Sequence, residues 1–221
     1  MNLVKQAEYF NPSNIEEEIH IIGVGAIGST LVEQLARMGF TNFHIYDFDI
    51  VEEKNLVNQN FYRRDLSTDK TLAIYSLIQS INPEIKAKYY NKGYTNQQLK
   101  GYVFLCVDSI ELRHKIAEEN KYNLQIKAMF DFRMRCTDAQ HYATKWNDYK
   151  KKENFIKSME FTSEEAKKAT PVNACGGALN VRYTVTTIVS FGVANLVSLI
   201  KFDNLKSLIV IDMESFDVTC I

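Results

Sequence analysis

The 221-residue sequence predicts an α/β fold with a doubly wound, mostly parallel sheet, helices on both faces and one long crossover segment. Three observations carry that expectation. Short apolar runs of strand length alternate with helical patterns along residues 19–132. The first run opens directly into a glycine turn at Gly23, Gly25 and Gly28. A later run, 102–107, is continuously apolar, as strands covered on both faces of a parallel sheet are.

The elements follow in order. Residues 1–18 are polar and irregular, with Asn11-Pro12-Ser13-Asn14 reading as a turn or cap. Residues 19–24 form a first strand. A helix then places Ile27, Leu31, Leu35 and Met38 on one face and stops at Gly39. A second strand at 43–46 closes on Asp47. Residues 68–81 read as a helix halted at Asn82-Pro83, because the residue before proline avoids the helical region. A strand at 85–90, a short helix at 95–100 and the apolar strand ending at Asp108 come next, then a helix at 110–120 and a strand at 125–132. Residues 133–175 are polar, hold the sole tryptophan and show no clear period before Ser163. Loops of that length are usually functional, so the stretch reads as a crossover or lid. A long core helix over 179–200 and a final strand over 207–213 complete a single domain, 1–221, divided into a core (19–132), the crossover (133–175) and a C-terminal helix and strand (176–221).

Composition excludes some functions. With 46% hydrophobic residues the chain can bury one sizeable core. A net charge of -1 gives no purchase on a nucleic-acid backbone, and Lys150, Lys151 and Lys152 read as a solvated face. The apolar stretch at 179–200 is interrupted by Asn180, Arg182 and Asn195, so a core helix is expected there and no membrane span. The N-terminus shows no apolar segment of signal-peptide length, so a cytoplasmic location is expected. Cys106, Cys136, Cys175 and Cys220 have no CxxC spacing, so no structural zinc is expected and free thiols are. His20, His44, His114 and His141 form no ligand pattern along the chain.

The glycine turn carries the first chemistry. Gly23 allows a tight turn, Gly25 lets backbone approach a phosphate, and Gly28 lets helix and strand pack closely. The helix beginning near Ala26 offers free N–H groups and a positive dipole end to an anion. Asp47, about 20 residues on, is placed to accept hydrogen bonds from a ribose. This Rossmann-like pattern serves a nicotinamide-dependent oxidoreductase equally well.

The next residues separate the two. Asp47-Phe48-Asp49-Ile50-Val51, followed by Asn55-Leu56-Val57-Asn58-Gln59, resembles the ThiF/MoeB/HesA adenylyltransferase pattern, Asp-x-Asp-x-Val and then Asn-Leu-x-Arg-Gln, which ubiquitin-activating enzymes share. The likeness is firm over residues 19–120. It implies ATP and Mg²⁺ as cofactors, with Asp47, Asp49, Asn55, Asn58, Gln59 and Ser109 around the nucleotide, Lys70 on phosphate and Asp108 on the metal. It implies adenylation of a carboxylate, often the C-terminal glycine of a small ubiquitin-like or sulfur-carrier protein, and a homodimer. In size the chain matches the small bacterial or phage type. The chemistry suits those residues: two anionic reactants need screening and in-line positioning. On spacing alone, Lys70 also reads as an exposed helix lysine and Asp108 as a helix cap.

Two departures stand out. The pattern has arginine where this chain has Asn58, and asparagine offers neither charge nor a bidentate fork. Arg63 and Arg64 follow closely and either fill that gap or are ordinary solvated arginines. Residues 1–36 also contain no arginine. If nothing compensates, a nucleotide-binding scaffold that has lost catalysis is the alternative. Relatives often pass the acyl group to a cysteine, and Cys175, just before a helix, is the candidate; the other reading is a small residue packing against a turn. In Asp131-Phe132-Arg133-Met134-Arg135, an arginine either meets the incoming anion or pairs with Asp131.

Overall fold

A computed structural model describes residues 1–168 and 179–221. One eight-stranded sheet runs through it in the order β3-β2-β1-β4-β5-β6-β7-β8. The parallel part comprises β1 (Ile19–Ile22), β2 (Asn42–Tyr46), β3 (Lys86–Tyr90), β4 (Gly101–Leu105) and β5 (Ile126–Arg135). β6 (Asp138–Lys145), β7 (Leu208–Asp212) and β8 (Asp217–Cys220) then extend it antiparallel. The order reverses at β1, which lies between β2 and β4, so the crevice where doubly wound folds take ligands opens just beyond its carboxyl end.

Side chains alternate across each strand and feed two cores. On one face Ile19, Ile21, Phe43, Ile45, Phe104 and Phe130 pack under α1 (Ala26–Met38), α2 (Lys70–Ile81) and α6 (Arg182–Phe202). On the other, Ile22, Val103, Leu105 and Met129 pack with Trp146 under α3 (Ile110–Glu119) and α4 (Tyr149–Lys157). α5 (Ser163–Lys168) follows α4. By length and composition α6 is apolar enough to cross a membrane, with a mean hydropathy of 1.7. It nevertheless buries Val185, Ile188, Val189, Val193 and Leu196 against the sheet and α1, as expected of a core helix.

Four local expectations need correction. The described part of the expected crossover, residues 133–168, is not irregular: it completes β5, turns back as β6 and forms α4 and α5, while 169–175 lie outside the described residues. β6 buries Ala139, His141 and Ala143 and leaves Gln140 and Tyr142 half-exposed, an alternation hidden because its buried positions are small or polar. The helix expected over 95–100 is absent; Asn96 there adopts a left-handed φ of 64°. The strand expected over 207–213 is present as β7, but it is not the last: β8 follows it, exposed on both faces and so without a period. Cys106 lies just past the end of β4, not within it, and Cys220 sits in β8.

The histidine expectation also changes. His20 and His44 are register neighbours on β1 and β2. Their ring nitrogens and a carboxylate oxygen of Glu18 lie within 4.8 Å of one another, a grouping capable of holding a metal ion. The Lys100 ammonium, 3.0 Å from Glu18, already supplies a cation there. Burial, with His44 alongside, holds His20 down at about 4, so its ring is neutral near pH 7. The group lies among the amino-terminal halves of the strands, away from the crevice.

Candidate nucleotide site

The turn after β1 is built from three glycines with different duties. Gly23 has φ +94° and donates its N–H to the Tyr46 carbonyl at 2.8 Å; a Cβ there would lie 2.8 Å from the backbone of Cys106 and Val107. A Cβ on Gly28 would lie 1.9 Å from the Gly23 carbonyl oxygen, so α1 can sit this close to the turn only without one. Gly25 differs: no described atom lies within 4 Å of where its Cβ would be. The protein's own packing does not require that glycine, and the open space suits a phosphate approaching the backbone. Gly25 is the N-cap of α1 and brings no side-chain cap, so the first-turn N–H groups from Ala26 onward keep their donors.

These roles separate experimentally. Gly28→Ala should destabilise the fold by about 2 kcal/mol or more through overpacking. Gly25→Ala should leave the urea midpoint nearly unchanged yet weaken nucleotide binding about tenfold or more. Equal behaviour of the two variants in urea denaturation and binding titrations would contradict this division.

Asp47 lies at the carboxyl end of β2. Its Oδ2 accepts the Val24 N–H at 2.7 Å and its Oδ1 the Asp49 N–H at 2.9 Å, so each oxygen keeps acceptor capacity for a hydroxyl. Burial raises its pKa, opposed by those two N–H bonds and by the Lys70 charge. Lys70 opens α2 but is not an exposed helix lysine. It is 5% exposed, and its ammonium donates to Asp49 Oδ2 at 2.8 Å. The backbone explains this placement. Val51 N–H donates to Thr68 O at 2.8 Å and Lys70 N–H to Asp49 O at 2.9 Å, which zips the 49–51 segment against the start of α2. An ammonium has three donors, and Asp49 takes one.

The Asn-Leu-x-x-Gln stretch forms a 3-10 turn, Glu53–Val57. Asn55 is buried, and its Oδ1 accepts the Glu52 N–H at 2.8 Å, so this oxygen is spent on a cap and the amide N–H₂ group is what remains. Gln59 Oε1 is buried without a hydrogen-bond partner among the described residues. An orphaned buried acceptor is costly and points to a missing donor. Asn58 closes the turn, and its main-chain oxygen accepts from Arg182 at 3.0 Å.

Arg63 and Arg64 do not enter this crevice. Arg63 is solvated and 3.2 Å from Glu53. Arg64 lies over the Tyr62 ring and lines a hollow with Met1, Arg37, Leu77 and Ile81, at the far ends of α1 and α2.

Asp108 is exposed in the loop between β4 and α3, without an ion-pair partner among the described residues. It is not the helix cap. Ser109 is, with its Oγ accepting the Leu112 N–H at 3.1 Å and donating to Glu111 at 2.9 Å. The loop is tied down by Arg113, whose Nε donates to Val107 O at 2.7 Å and whose guanidinium pairs with the fully buried Asp131 at 2.6 Å. Arg133 holds the other Asp131 oxygen at 2.7 Å and donates to Ser158 O, while Arg135 pairs with Asp138. Asp131–Arg133 is therefore a structural pair. Cys175 lies outside the described residues.

Sequence reasoning missed Arg113, Asn60 and Arg182. Arg113 was detectable as a lone charge on the α3 face shared by Ile110, Ile116 and Ala117. Arg182 was visible only as an interruption of an apolar helix.

A glycine turn at the switch point, an acid at the end of the next strand and a buried lysine whose charge reaches that acid define a Rossmann-like α/β domain. Residues 15–212 match the ThiF family, and the chain belongs to it. Among curated proteins it is 32% identical over 136 residues to ubiquitin-like modifier-activating enzyme 5 of Dictyostelium discoideum, covering 52% of this chain and 35% of that protein. The Oryza sativa subsp. japonica protein of the same name is 35% identical over 85 residues, covering 38% of this chain and 20% of that one. The chain thus spans about a third or less of the length of these relatives. Among solved structures, E. coli MccB with AMPCPP and MccA superposes with a TM-score of 0.74 at 16% identity, covering 93% of this chain and 63% of that one. PaaA does so with a TM-score of 0.69 at 16% identity, covering 93% and 64%. These likenesses confirm the fold.

Proposed function

We propose that the protein is an ATP- and Mg²⁺-dependent adenylyltransferase that activates a carboxylate, the C-terminal glycine of a small ubiquitin-like or sulfur-carrier protein. The observation that carries this reading is the buried Lys70, held by Asp49 beside Asp47 at the open glycine turn. Names of the relatives support the choice of partner, as do MccB structures with ATP and with MccA.

In the reaction a carboxylate oxygen bonds to the α-phosphorus of ATP as the bond from that phosphorus to the departing pyrophosphate breaks. Gly25 and the first-turn N–H groups of α1 cradle phosphate. Asp47 accepts from the ribose, and the spare donors of Lys70 hold phosphate charge. Asp108, exposed and without an ion-pair partner among the described residues, would hold Mg²⁺, which would supply charge screening between the two anionic reactants. The Asn55 amide N–H₂ group donates within the same turn.

The test is radiolabelled ATP–pyrophosphate exchange with Mg²⁺, with and without carrier proteins ending in Gly-Gly. Exchange that requires a carrier is the expected outcome. ATP binding with no exchange under any condition would favour the scaffold reading, to which Asn58 lends weight. Absence of ATP binding, with NAD bound instead, would overturn the assignment in favour of an oxidoreductase.

A further inference from the structure

Arg182 stands at the first position of α6, yet its side chain reaches back across the crevice wall to α1 and the 58–60 segment. One terminal nitrogen donates to Thr30 Oγ1 at 3.1 Å and to Asn58 O at 3.0 Å, and the other donates to Asn60 Oδ1. Those acceptors are themselves fixed. Thr30 Oγ1 donates to Ala26 O at 2.8 Å, and the Asn60 N–H donates to Ser29 Oγ at 3.0 Å. All three are neutral. No carboxylate among the described residues pairs with Arg182; Glu33, on the adjoining turn of α1, is bonded by Asn60 and Arg37. A half-buried guanidinium solvated only by neutral oxygens keeps its full charge and attracts an anion. Two of its five donors, Nε and one on the terminal nitrogen bonded to Asn60, have no partner among the described residues.

Its location gives that charge a purpose. Thr30 lies about 6 Å along α1 from Ala26, one turn beyond the open phosphate cradle. The anchoring carbonyl belongs to Asn58, the position where the ThiF pattern carries arginine. We propose that Arg182 supplies, from the start of α6, the phosphate-directed positive charge that Asn58 does not. This rests on the nucleotide-binding reading above. The guanidinium is pre-positioned by neutral partners, so no competing ion pair must break when phosphate arrives.

The test is calorimetric titration of ATP and of adenosine into the whole protein as wild type, Arg182→Gln, Arg182→Lys and the exchange double variant Asn58→Arg/Arg182→Gln, each checked by thermal melting. The expected result is a loss of about tenfold or more in ATP affinity for Arg182→Gln, with adenosine affinity unchanged. Arg182→Lys retains part of the affinity, and the double variant recovers most of it. ATP affinity of Arg182→Gln within twofold of wild type would overturn the proposal, as would equal losses for ATP and adenosine, the mark of a merely structural role. Should Arg182→Gln fail to fold, the double variant decides: a folded double variant without recovered ATP affinity overturns it. Failure of the wild type to bind ATP would instead overturn the nucleotide reading itself.

Discussion

Lys70→Met should lower carrier-dependent ATP–pyrophosphate exchange by about 10²-fold or more while the protein stays folded. Methionine keeps the buried stem and removes only the ammonium. Its partner Asp49 has a half-exposed side chain, so water replaces the lost ion pair at small cost. On the proposed reading the same charge contacts phosphate, and removing one preorganised group of that kind commonly costs about 10²–10³ in rate. Asp108→Ala should match it in direction by a different route. Asp108 is exposed and has no ion-pair partner among the described residues, so its removal should move stability by no more than about 0.5 kcal/mol. Exchange should fall, and the Mg²⁺ concentration needed for half-maximal rate should rise. Undiminished exchange by Lys70→Met, with the carrier present, would remove this lysine from the proposed chemistry.

The contrast between these two residues shows what the sequence could and could not reveal. The parallel half of the sheet was legible because β1, β2 and β4 are short, almost wholly buried runs and α1 has one apolar stripe. The glycine turn was legible because steric demands at Gly23 and Gly28 leave no alternative residue. Lys70 was ambiguous: its burial depends on main-chain bonds between Val51 and Thr68 and between Asp49 and Lys70, and backbone pairing in an irregular loop leaves no periodic trace. The antiparallel half was poorly legible for a related reason. The alternating buried positions of β6 are Ala139, His141 and Ala143, and β8 is exposed throughout, so neither carries the strongly apolar alternation that betrays a strand. Arg182 lay beyond reach because its meaning comes from a contact with Asn58 across more than half the chain.

The second large effect is expected at Arg113 and Asp131, and it tests whether the Asp108 loop is held from beneath. Asp131 is fully buried, with one oxygen on Arg113 and the other on Arg133. Breaking a buried pair by removing one partner leaves an uncompensated charge, at a typical cost of about 3–5 kcal/mol. Arg133, fixed by Ser158 and lying 4.1 Å over the Tyr142 ring, is bound to its own oxygen and cannot serve both. Arg113→Ala should therefore lower the unfolding free energy by about 3 kcal/mol or more in urea titrations. Arg113→Leu combined with Asp131→Leu should cost less than the sum of the single changes, because no orphaned carboxylate or guanidinium of the pair is left behind. The functional consequence follows from Val107, whose carbonyl takes the Nε donor of Arg113 one residue before Asp108. Arg113→Lys keeps a charge near Asp131 but loses the planar fork that grips the carboxylate and the Val107 carbonyl together. Under conditions where this variant is fully folded, its Mg²⁺ requirement for exchange should rise toward that of Asp108→Ala. An unchanged Mg²⁺ requirement would confine Arg113 to holding the core together and leave the loop to position itself.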